Sequence, residues 1–361
     1  MIRTVGIVSL SSGILGEPFV QHEVRLGLAR LQDYGLQVRF LPHARAGLEA
    51  LRAHPEWRAE DLLQAFRDPE IDLILCAIGG DDTYRLAPYL FETGELQQAV
   101  TQKPFLGFSD TTIDHFMLRK VGLPTFYGQA FLPDVCELSR TMLPYTRQYF
   151  EELLTTGRIR CIRPSDTAYE SRKNFGESQL GTPLAAKKLG GFRLLQGSGQ
   201  FSGEILGGCI DSIFDMFDPS RYADMPEICR KYGLFPAKEE WRGRILLLES
   251  SEEQMAPAKY KKALEYLKDA GVFAAVSGAF SGLIVKNAWA AFPAVLLAQV
   301  SGRLTFLTVA AVFQSVSPLS AAAVWTQIQT GLIGLVLQAV LVPVIVIALR
   351  ALMLRESRER E

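Results

Sequence analysis

The stretch Phe105-Leu106-Gly107-Phe108-Ser109-Asp110-Thr111-Thr112 organises the rest of the chain. An apolar, strand-like run ends at Gly107 and a helix-like segment begins at Asp110, so the pattern predicts a strand, a tight turn and a helix. Such a turn lifts a side chain clear of the sheet and leaves N–H groups at the helix start unpaired, which suits a nucleophilic serine beside an oxyanion. The second glycine of the commoner Gly-x-Ser-x-Gly elbow is missing. Taken alone, the stretch therefore favours a helix cap at Ser109 over a catalytic residue.

Length, charge and cysteine content narrow the class of protein. The chain has 361 residues, enough for two domains, and a formal net charge of -1, which gives no reason to expect nucleic-acid binding. Its five cysteines are odd in number and show no C-x-x-C pair, so neither a disulfide framework nor a metal site is indicated, and no cofactor is expected. Met1 to Val8 reads directly as a first strand rather than as a signal peptide, which predicts a cytoplasmic globular part.

Strands and helices alternate along the first 136 residues, which predicts a parallel sheet with covered faces. Ligands of such sheets collect at the carboxyl ends of the strands, and both Gly79-Gly80 and Ser109 fall there. The predicted elements, in chain order, are a strand at 5–10, a helix at 18–34, a strand at 37–41, a helix at 58–66, strands at 71–78 and 105–107, and a helix starting at 110.

The remainder divides into three further segments. Residues 137–181 contain a helix at 143–154 and a polar, irregular connection, and residues 182–286 form a partial second α/β domain. Its predicted elements are strands at 192–196 and 201–206 with a turn at 197–199 between them, a helix at 210–217 that follows Gly207-Gly208-Cys209, a strand at 244–249, a helix at 256–270 and a strand at 279–285.

The fourth segment, 287–361, is strongly apolar. Leu304 to Trp325 and Thr330 to Leu349 carry no charge over a length close to the roughly 20 residues that a membrane span needs. Arginines follow the last apolar run, which favours both ends in the cytoplasm and a two-helix hairpin. The pattern therefore predicts anchoring to the inner face of the cell membrane through residues 287–350, although a pair of buried core helices is the alternative interpretation.

Six motifs in a fixed order resemble the LD-carboxypeptidase and microcin C self-immunity family of serine peptidases. The resemblance covers about residues 4–285 and excludes the apolar tail. It implies a flavodoxin-like N-terminal domain, a smaller C-terminal α/β domain and an active site between them. The motifs are Arg58-Ala59-Glu60-Asp61, Gly79-Gly80-Asp81-Asp82, Gly107-Phe108-Ser109-Asp110, Tyr127-Gly128, Gly207-Gly208-Cys209 and Leu246-Leu247-Leu248-Glu249.

The resemblance also implies roles for individual residues. The nucleophile falls on Ser109, the triad carboxylate on Glu249, and the oxyanion donors on the backbone N–H groups of Gly80 and Asp110. A further set is expected to bind substrate, namely Gly79, Asp81, Tyr127, Tyr169 and Gly208. Glycine suits position 80 because a backbone without Cβ can approach a tetrahedral oxygen.

The third member of the triad is missing. In the family a histidine follows the glutamate in the chain, whereas the four histidines here, His22, His43, His54 and His115, all precede Glu249. His115 lies six residues beyond Ser109 on the same helix and is expected to point away from the nucleophile. A serine without a general base is a poor nucleophile at neutral pH.

The Gly79-Gly80-Asp81-Asp82-Thr83 loop is more similar to the microcin self-immunity branch, which cleaves an acyl link between an acidic amino acid and a nucleotide, than to the murein branch. Tyr169 is the candidate for stacking on the base, with a surface tyrosine as the alternative. Three interpretations stay open: a peptidase of weakened activity on a small peptide or peptidyl-nucleotide, an inactive membrane-tethered binding protein, and a chimeric or frameshifted chain. A homodimer is also left open.

Overall fold

The computed structural model describes residues 2–195 and 200–274. The chain divides into two compact units, Met1–Ala270 and Gly271–Glu361. The predicted strand at 279–285 and the predicted membrane hairpin at 287–361 lie outside the described residues. Within the described ranges, no helix is both long enough and apolar enough to span a membrane.

Five parallel strands form the main sheet: β1 Thr4–Val8, β2 Gln37–Phe40, β3 Leu73–Cys76, β4 Phe105–Gly107 and β5 Phe126–Tyr127. Their order across the sheet is β2-β1-β3-β4-β5. Strands β1, β3 and β4 are buried along their whole length, as their continuous apolar runs predict. The order reverses between β1 and β3, so the carboxyl ends of these strands flank the crevice in which such folds bind ligands.

Helices cover this sheet. The main hydrophobic core joins β1, β3 and β4 to helices α1, Gln21–Asp33, and α7, Pro144–Thr156, and to the π-helical turn at Phe131–Val135. The helix predicted at 58–66 is α3, which begins at Pro55 and ends before the extended Asp68, as expected. The helix predicted at 18–34 is α1, which follows a short 3-10 turn at Pro18–Val20. The helices are α1 Gln21–Asp33, α2 Leu48–Ala53, α3 Pro55–Arg67, α4 Ala87–Phe91, α5 Glu95–Ala99, α6 Thr112–Lys120 and α7 Pro144–Thr156.

The polar connection after α7 is more ordered than predicted. It contains an antiparallel hairpin of β6, Thr167–Tyr169, and β7, Ala186–Lys188. Three-residue strands of mixed polarity give no alternation to detect from sequence, which is why this hairpin was missed. The predicted strand at 192–196 is wrong over its described residues: Phe192 and Leu195 are 77% and 84% exposed and belong to no strand.

A second, two-stranded parallel sheet pairs β8, Glu204–Cys209, with β9, Arg244–Glu249. The predicted strand at 201–206 begins and ends too early, because β8 begins only at Glu204 and continues through Gly207-Gly208-Cys209, all three of which pair with β9. The predicted turn at 197–199 lies outside the described residues. Position 207 accepts only glycine, since a Cβ there would lie 2.0 Å from the Leu247 carbonyl oxygen. In chain order, helices α8, Ile210–Asp215, and α9, Met225–Lys231, lie between β8 and β9, and α10, Pro257–Asp269, follows β9.

Candidate active site

Ser109 lies in a strained turn at the end of β4. Its φ angle is +64°, in the left-handed region that a serine rarely adopts. The preceding Phe108 is extended, and a 3-10 turn at Ser109–Thr111 leads directly into α6. Such a conformation costs on the order of 1–3 kcal/mol and persists where the surrounding structure imposes it, most often at functional sites. The strand, turn and helix predicted from the sequence are therefore present, and Ser109 makes no helix-capping side-chain hydrogen bond in either short helix.

The Gly79-Gly80 loop after β3 packs directly on this turn. A Cβ at position 79 would lie 2.8 Å from Ser109 Cβ, 2.9 Å from its Oγ and 3.2 Å from the Asp110 nitrogen. At position 80 it would lie 2.1 Å from Ser11 Oγ. Both positions therefore require glycine because other parts of the chain fill the space of a side chain. The carboxyl ends of β1, β3 and β4 thus meet around Ser109.

Three backbone N–H groups surround the serine. That of Ser109 donates to the Tyr127 hydroxyl at 3.2 Å. Those of Gly80 and Asp110 donate to no acceptor within residues 2–195 and 200–274. An N–H group without a protein acceptor can donate to a ligand oxygen.

Glu249 reaches the serine turn through Tyr127. The tyrosine hydroxyl donates to Glu249 Oε1 at 2.5 Å and lies 3.3 Å from Thr112 Oγ1. Burial, followed by the hydrogen bond and charge of Glu249, raises the pKa of Tyr127 far above its ordinary value, so the hydroxyl stays protonated. The two sheets are further joined by Cys209, whose N–H donates to Thr112 Oγ1 at 2.9 Å. Thr112 was not predicted from the sequence, although it closes the stretch that carries Ser109.

Gly208 lies beside this junction. A Cβ there would approach Thr112 Oγ1 at 2.6 Å and a Tyr127 ring carbon at 2.8 Å. The structure therefore brings together Ser109, Gly79, Gly80, Asp110, Tyr127, Gly208 and Glu249. Tyr169 is half-buried in the β6–β7 hairpin and makes no described contact with this group.

The Asp110 side chain points away from the N–H group of the same residue, into a buried network. Its Oδ2 accepts from Ser11 Oγ at 2.6 Å and from the Thr83 N–H at 3.0 Å. Burial raises the pKa of this carboxyl to about 6 despite both hydrogen bonds. Asp114, one turn further along α6, accepts from Thr83 Oγ1, and burial together with the charge of Asp110 raises its pKa well above the ordinary value. These contacts hold the start of α6 against the loops that follow β1 and β3.

Arg58 holds the loops that follow β1 and β3 in place from within the core. It is fully buried, pairs with Asp82 at 2.6 Å, and donates to the Leu10 and Ser11 carbonyl oxygens. The Arg58-Ala59-Glu60-Asp61 motif therefore supports the site rather than entering it. Asp81, next to Asp82, remains half-exposed and faces Arg221 at 3.6 Å.

No histidine contacts Ser109 or Glu249 within the described residues. His115 is buried and bonds to Thr125 Oγ1 at 2.6 Å and the Gly107 carbonyl oxygen at 3.0 Å, as its place on α6 predicted. Burial lowers the pKa of His115 to about 4. His22 bonds to the Phe175 carbonyl oxygen, His43 to the Asp61 carboxylate and His54 to the Glu56 carboxylate. The described residues also contain no group of three or more His, Cys, Asp or Glu side chains placed to hold a metal.

Comparison with known proteins agrees with this arrangement. Residues 5–128 match the model of the LD-carboxypeptidase N-terminal domain, and residues 202–314 match that of the LD-carboxypeptidase C-terminal domain. The chain belongs to the LD-carboxypeptidase family. The match to this family extends to residue 314, so the expected limit at Val285 was too early, and residues 287–314 of the apolar segment fall within the second match.

Relatives within the family include both branches considered from the sequence. The chain is 28% identical to the microcin C7 self-immunity protein MccF of Escherichia coli over 62% of this chain and 60% of that protein. It is 34% identical to the murein tetrapeptide carboxypeptidase of Pseudomonas aeruginosa over 28% of this chain and 32% of that enzyme. The chain thus spans less than two thirds of the length of either curated relative.

Solved structures show the same fold. An MccF-like protein from Streptococcus pneumoniae, crystallised with AMP, is 60% identical, with a TM-score of 0.75 over 76% of this chain and 80% of that one. MccF in complex with aspartyl sulfamoyl adenosine is 23% identical, with a TM-score of 0.58 over 75% of this chain and 74% of that one.

Proposed function

We propose that this protein binds an aminoacyl- or peptidyl-nucleotide at Ser109 and belongs, by function, with the microcin self-immunity proteins. The observation that carries the proposal is the left-handed Ser109 turn, on which the Gly79-Gly80 loop packs and to which Tyr127 connects Glu249. The nucleotide part of the proposal is supported by AMP in the 60% identical protein and by aminoacyl sulfamoyl nucleosides in MccF.

In the proposed reaction, Ser109 Oγ attacks the carbonyl carbon that joins the acyl group to the nucleotide. The carbonyl oxygen becomes an oxyanion that accepts hydrogen bonds from the N–H groups of Gly80 and Asp110. When the tetrahedral intermediate collapses, the bond to the nucleotide breaks and the leaving group takes up a proton. Water then hydrolyses the acyl-serine ester and regenerates the hydroxyl.

Proton removal is the step that this chain leaves unsupported. No histidine lies between Glu249 and residue 361, and the protonated Tyr127 hydroxyl already occupies one oxygen of Glu249. Loss of a triad member costs several powers of ten in rate, while the oxyanion hole and binding alone retain about 10³–10⁴-fold catalysis over water. This favours a second candidate function, capture of the nucleotide with little or no turnover.

One experiment separates the two candidates. Calorimetry with AMP and with aspartyl sulfamoyl adenosine measures binding, while an aspartyl-adenylate analogue and an L,D-tetrapeptide report hydrolysis, each with wild type and Ser109→Ala. Binding with hydrolysis that disappears in Ser109→Ala supports the hydrolase, and binding without hydrolysis supports capture. If neither nucleotide binds, or if hydrolysis survives in Ser109→Ala, the proposal is wrong.

Two finer assignments remain proposals. Stacking of Tyr169 on the base predicts that Tyr169→Ala weakens AMP binding, with Tyr260→Ala on the exposed side of α10 as control.

Membrane attachment through residues 287–350 predicts that the full chain stays with membranes after alkaline carbonate washing. Recovery of the chain in the supernatant would contradict that attachment.

A further inference from the structure

Four carboxylates lie together beside Glu249. Asp211 and Asp215 are one turn apart on α8, Glu253 follows β9, and Asp81 follows the Gly80 oxyanion position. Arg221 connects three of them: it pairs with Glu253 at 2.8 Å, Asp215 at 3.2 Å and Asp81 at 3.6 Å. Asp211, Asp215, Glu253 and Asp81 are called the acidic cluster below.

The parallel pairing of β8 and β9 places this cluster at the edge that carries the site. Cys209 of β8 pairs with Glu249 of β9 in the sheet. Asp211 and Ser251 each lie two residues beyond this pair, and Asp211 Oδ2 accepts a hydrogen bond from the Ser251 N–H at 3.0 Å. The Asp211 carboxylate is therefore fixed across the ends of both strands. Asp81 approaches the same edge from the other side, on the loop that packs on Ser109.

Two oxygens of the cluster are buried without a hydrogen bond. Asp211 is 6% exposed and Asp215 is 4% exposed, yet Oδ1 of each has no hydrogen-bond partner in the part of the chain that the structure describes. Lys259 Nζ lies 3.9 Å from Asp215 Oδ1, beyond hydrogen-bond distance. A buried carboxylate oxygen without a donor is costly, and like charges one helical turn apart repel each other. A positively charged group of a ligand, held at the exposed Asp81 and Glu253 side of the cluster, would offset the excess negative charge.

The acidic cluster has more carboxylates than cations to pair with them. Four carboxylates face two cations, Arg221 and Lys259, which leaves two negative charges. Burial, together with the charges of Asp211 and Glu253, raises the pKa of Asp215 to about 6 even though Arg221 and Lys259 lower it. Asp81 and Glu253 side chains are 46% and 53% exposed, so the cluster is open to solvent on one side.

We propose that the acidic cluster is the subsite for the side chain of the acyl group, and that it selects a cationic side chain such as lysyl or arginyl. This inference rests on the proposed binding of an aminoacyl-nucleotide at Ser109. The substrate class it names differs from the aspartyl and glutamyl ligands with which MccF was crystallised. A carboxylate side chain would meet two uncompensated negative charges here, whereas an ammonium group would gain charge-assisted hydrogen bonds.

The test uses the full chain and three sulfamoyl adenosines that differ only in the acyl side chain: L-lysyl, L-norleucyl and L-glutamyl. All three keep the α-amino group and cannot be hydrolysed, so only the side chain is compared. Calorimetry should show the lysyl compound binding about 10-fold or more tighter than the norleucyl one, the gain from one new charged hydrogen bond. The glutamyl compound should bind most weakly.

Asp211→Asn keeps an acceptor for the Ser251 N–H, and it should reduce the lysyl-to-norleucyl ratio to below about 3-fold, since it removes one of the two uncompensated negative charges that attract the ligand. Glu265→Gln removes an exposed charge on α10 outside the cluster, and it should leave the ratio unchanged. Equal binding of lysyl and norleucyl compounds, tighter glutamyl binding, or an equal loss in Glu265→Gln would overturn the subsite.

The ranking in wild type decides the matter even if Asp211→Asn fails to fold, and Asp215→Asn supplies a second variant. If the norleucyl compound and AMP do not bind at all, the proposed function fails. If they bind without a lysyl preference, only the subsite fails.

Discussion

The Tyr127 hydroxyl donates a hydrogen bond to Glu249 across 122 residues of chain and from one sheet to the other. The same hydroxyl accepts from the N–H of Ser109, so one oxygen atom links Ser109 to Glu249. Glu249 is therefore held by a tyrosine that stays protonated rather than by an imidazole. The serine and the glutamate are positioned relative to each other, but no described group takes the serine proton.

Tyr127→Phe should loosen this link. The change removes a hydrogen bond to a carboxylate and leaves the Ser109 N–H without its acceptor, so we expect a loss of about 1–2 kcal/mol in the free energy of unfolding. Aspartyl sulfamoyl adenosine should also bind more weakly. Tyr89→Phe is the matched control, because the Tyr89 side chain is exposed and its hydroxyl bonds to no described residue. Equal stability of the two variants in urea titrations would contradict the bridging role.

Gly79→Ala should displace Ser109. Its new methyl group would lie 2.8 Å from Ser109 Cβ, closer than packed carbon atoms allow. Overpacking of this kind costs about 1–3 kcal/mol, and relief of the clash must move the serine turn. Nucleotide binding by calorimetry should fall with stability. Gly190→Ala, where no atom lies within 4 Å, should change neither quantity; a Gly79→Ala protein with wild-type binding would show that the loop is free to shift.

Removal of one partner of the buried Arg58–Asp82 pair should be strongly destabilising. Arg58→Met leaves the buried Asp82 carboxylate with only the longer ion pair to Arg85 at 3.7 Å, and removal of one partner of a buried pair typically costs about 3–5 kcal/mol. The double variant Arg58→Met/Asp82→Leu should recover part of this loss because it removes the uncompensated charge. Arg67→Ala breaks an exposed ion pair with Glu95 and should cost about 0–1 kcal/mol. Comparable midpoints for Arg58→Met and Arg67→Ala in thermal unfolding would rule out the anchoring role.

Asp134 should make stability depend on pH. Burial raises the pKa of this carboxyl to about 7, from 3.8, so the folded state holds a proton that the unfolded state has already released. Its contribution to the free energy of unfolding is therefore fully favourable below about pH 4 and is lost as pH rises to about 7. Asp134→Asn should gain stability relative to wild type over that range, on the order of 4 kcal/mol by pH 8.

Urea titrations of wild type and Asp134→Asn between pH 5 and 8 measure this difference directly. Asn can still accept from the Ala130 N–H, so the hydrogen bond is retained. Asp33→Asn, an exposed position at the end of α1, serves as control and should follow wild type at every pH. A difference between Asp134→Asn and wild type that stays constant with pH would contradict the raised pKa.

Local patterns in the sequence predicted most of the first sheet. Strands β1, β3 and β4 are continuous apolar runs, and their alternation with amphipathic helices allows few arrangements. The second sheet was predicted less well. The strand predicted at 201–206 in fact extends through Gly207 and Gly208, where β9 and the Thr112–Tyr127 contact leave no room for side chains.

The sequence by itself determined the parallel α/β fold, the strand, turn and helix around Ser109, and the lack of histidine in residues 250–361, because each depends on residue types in local order. Only the tertiary structure decided that Tyr127 connects Ser109 to Glu249 and that the acidic cluster gathers beside them. These contacts join residues far apart in the chain. They exist because parallel strands of two sheets end at one edge, which no local pattern records.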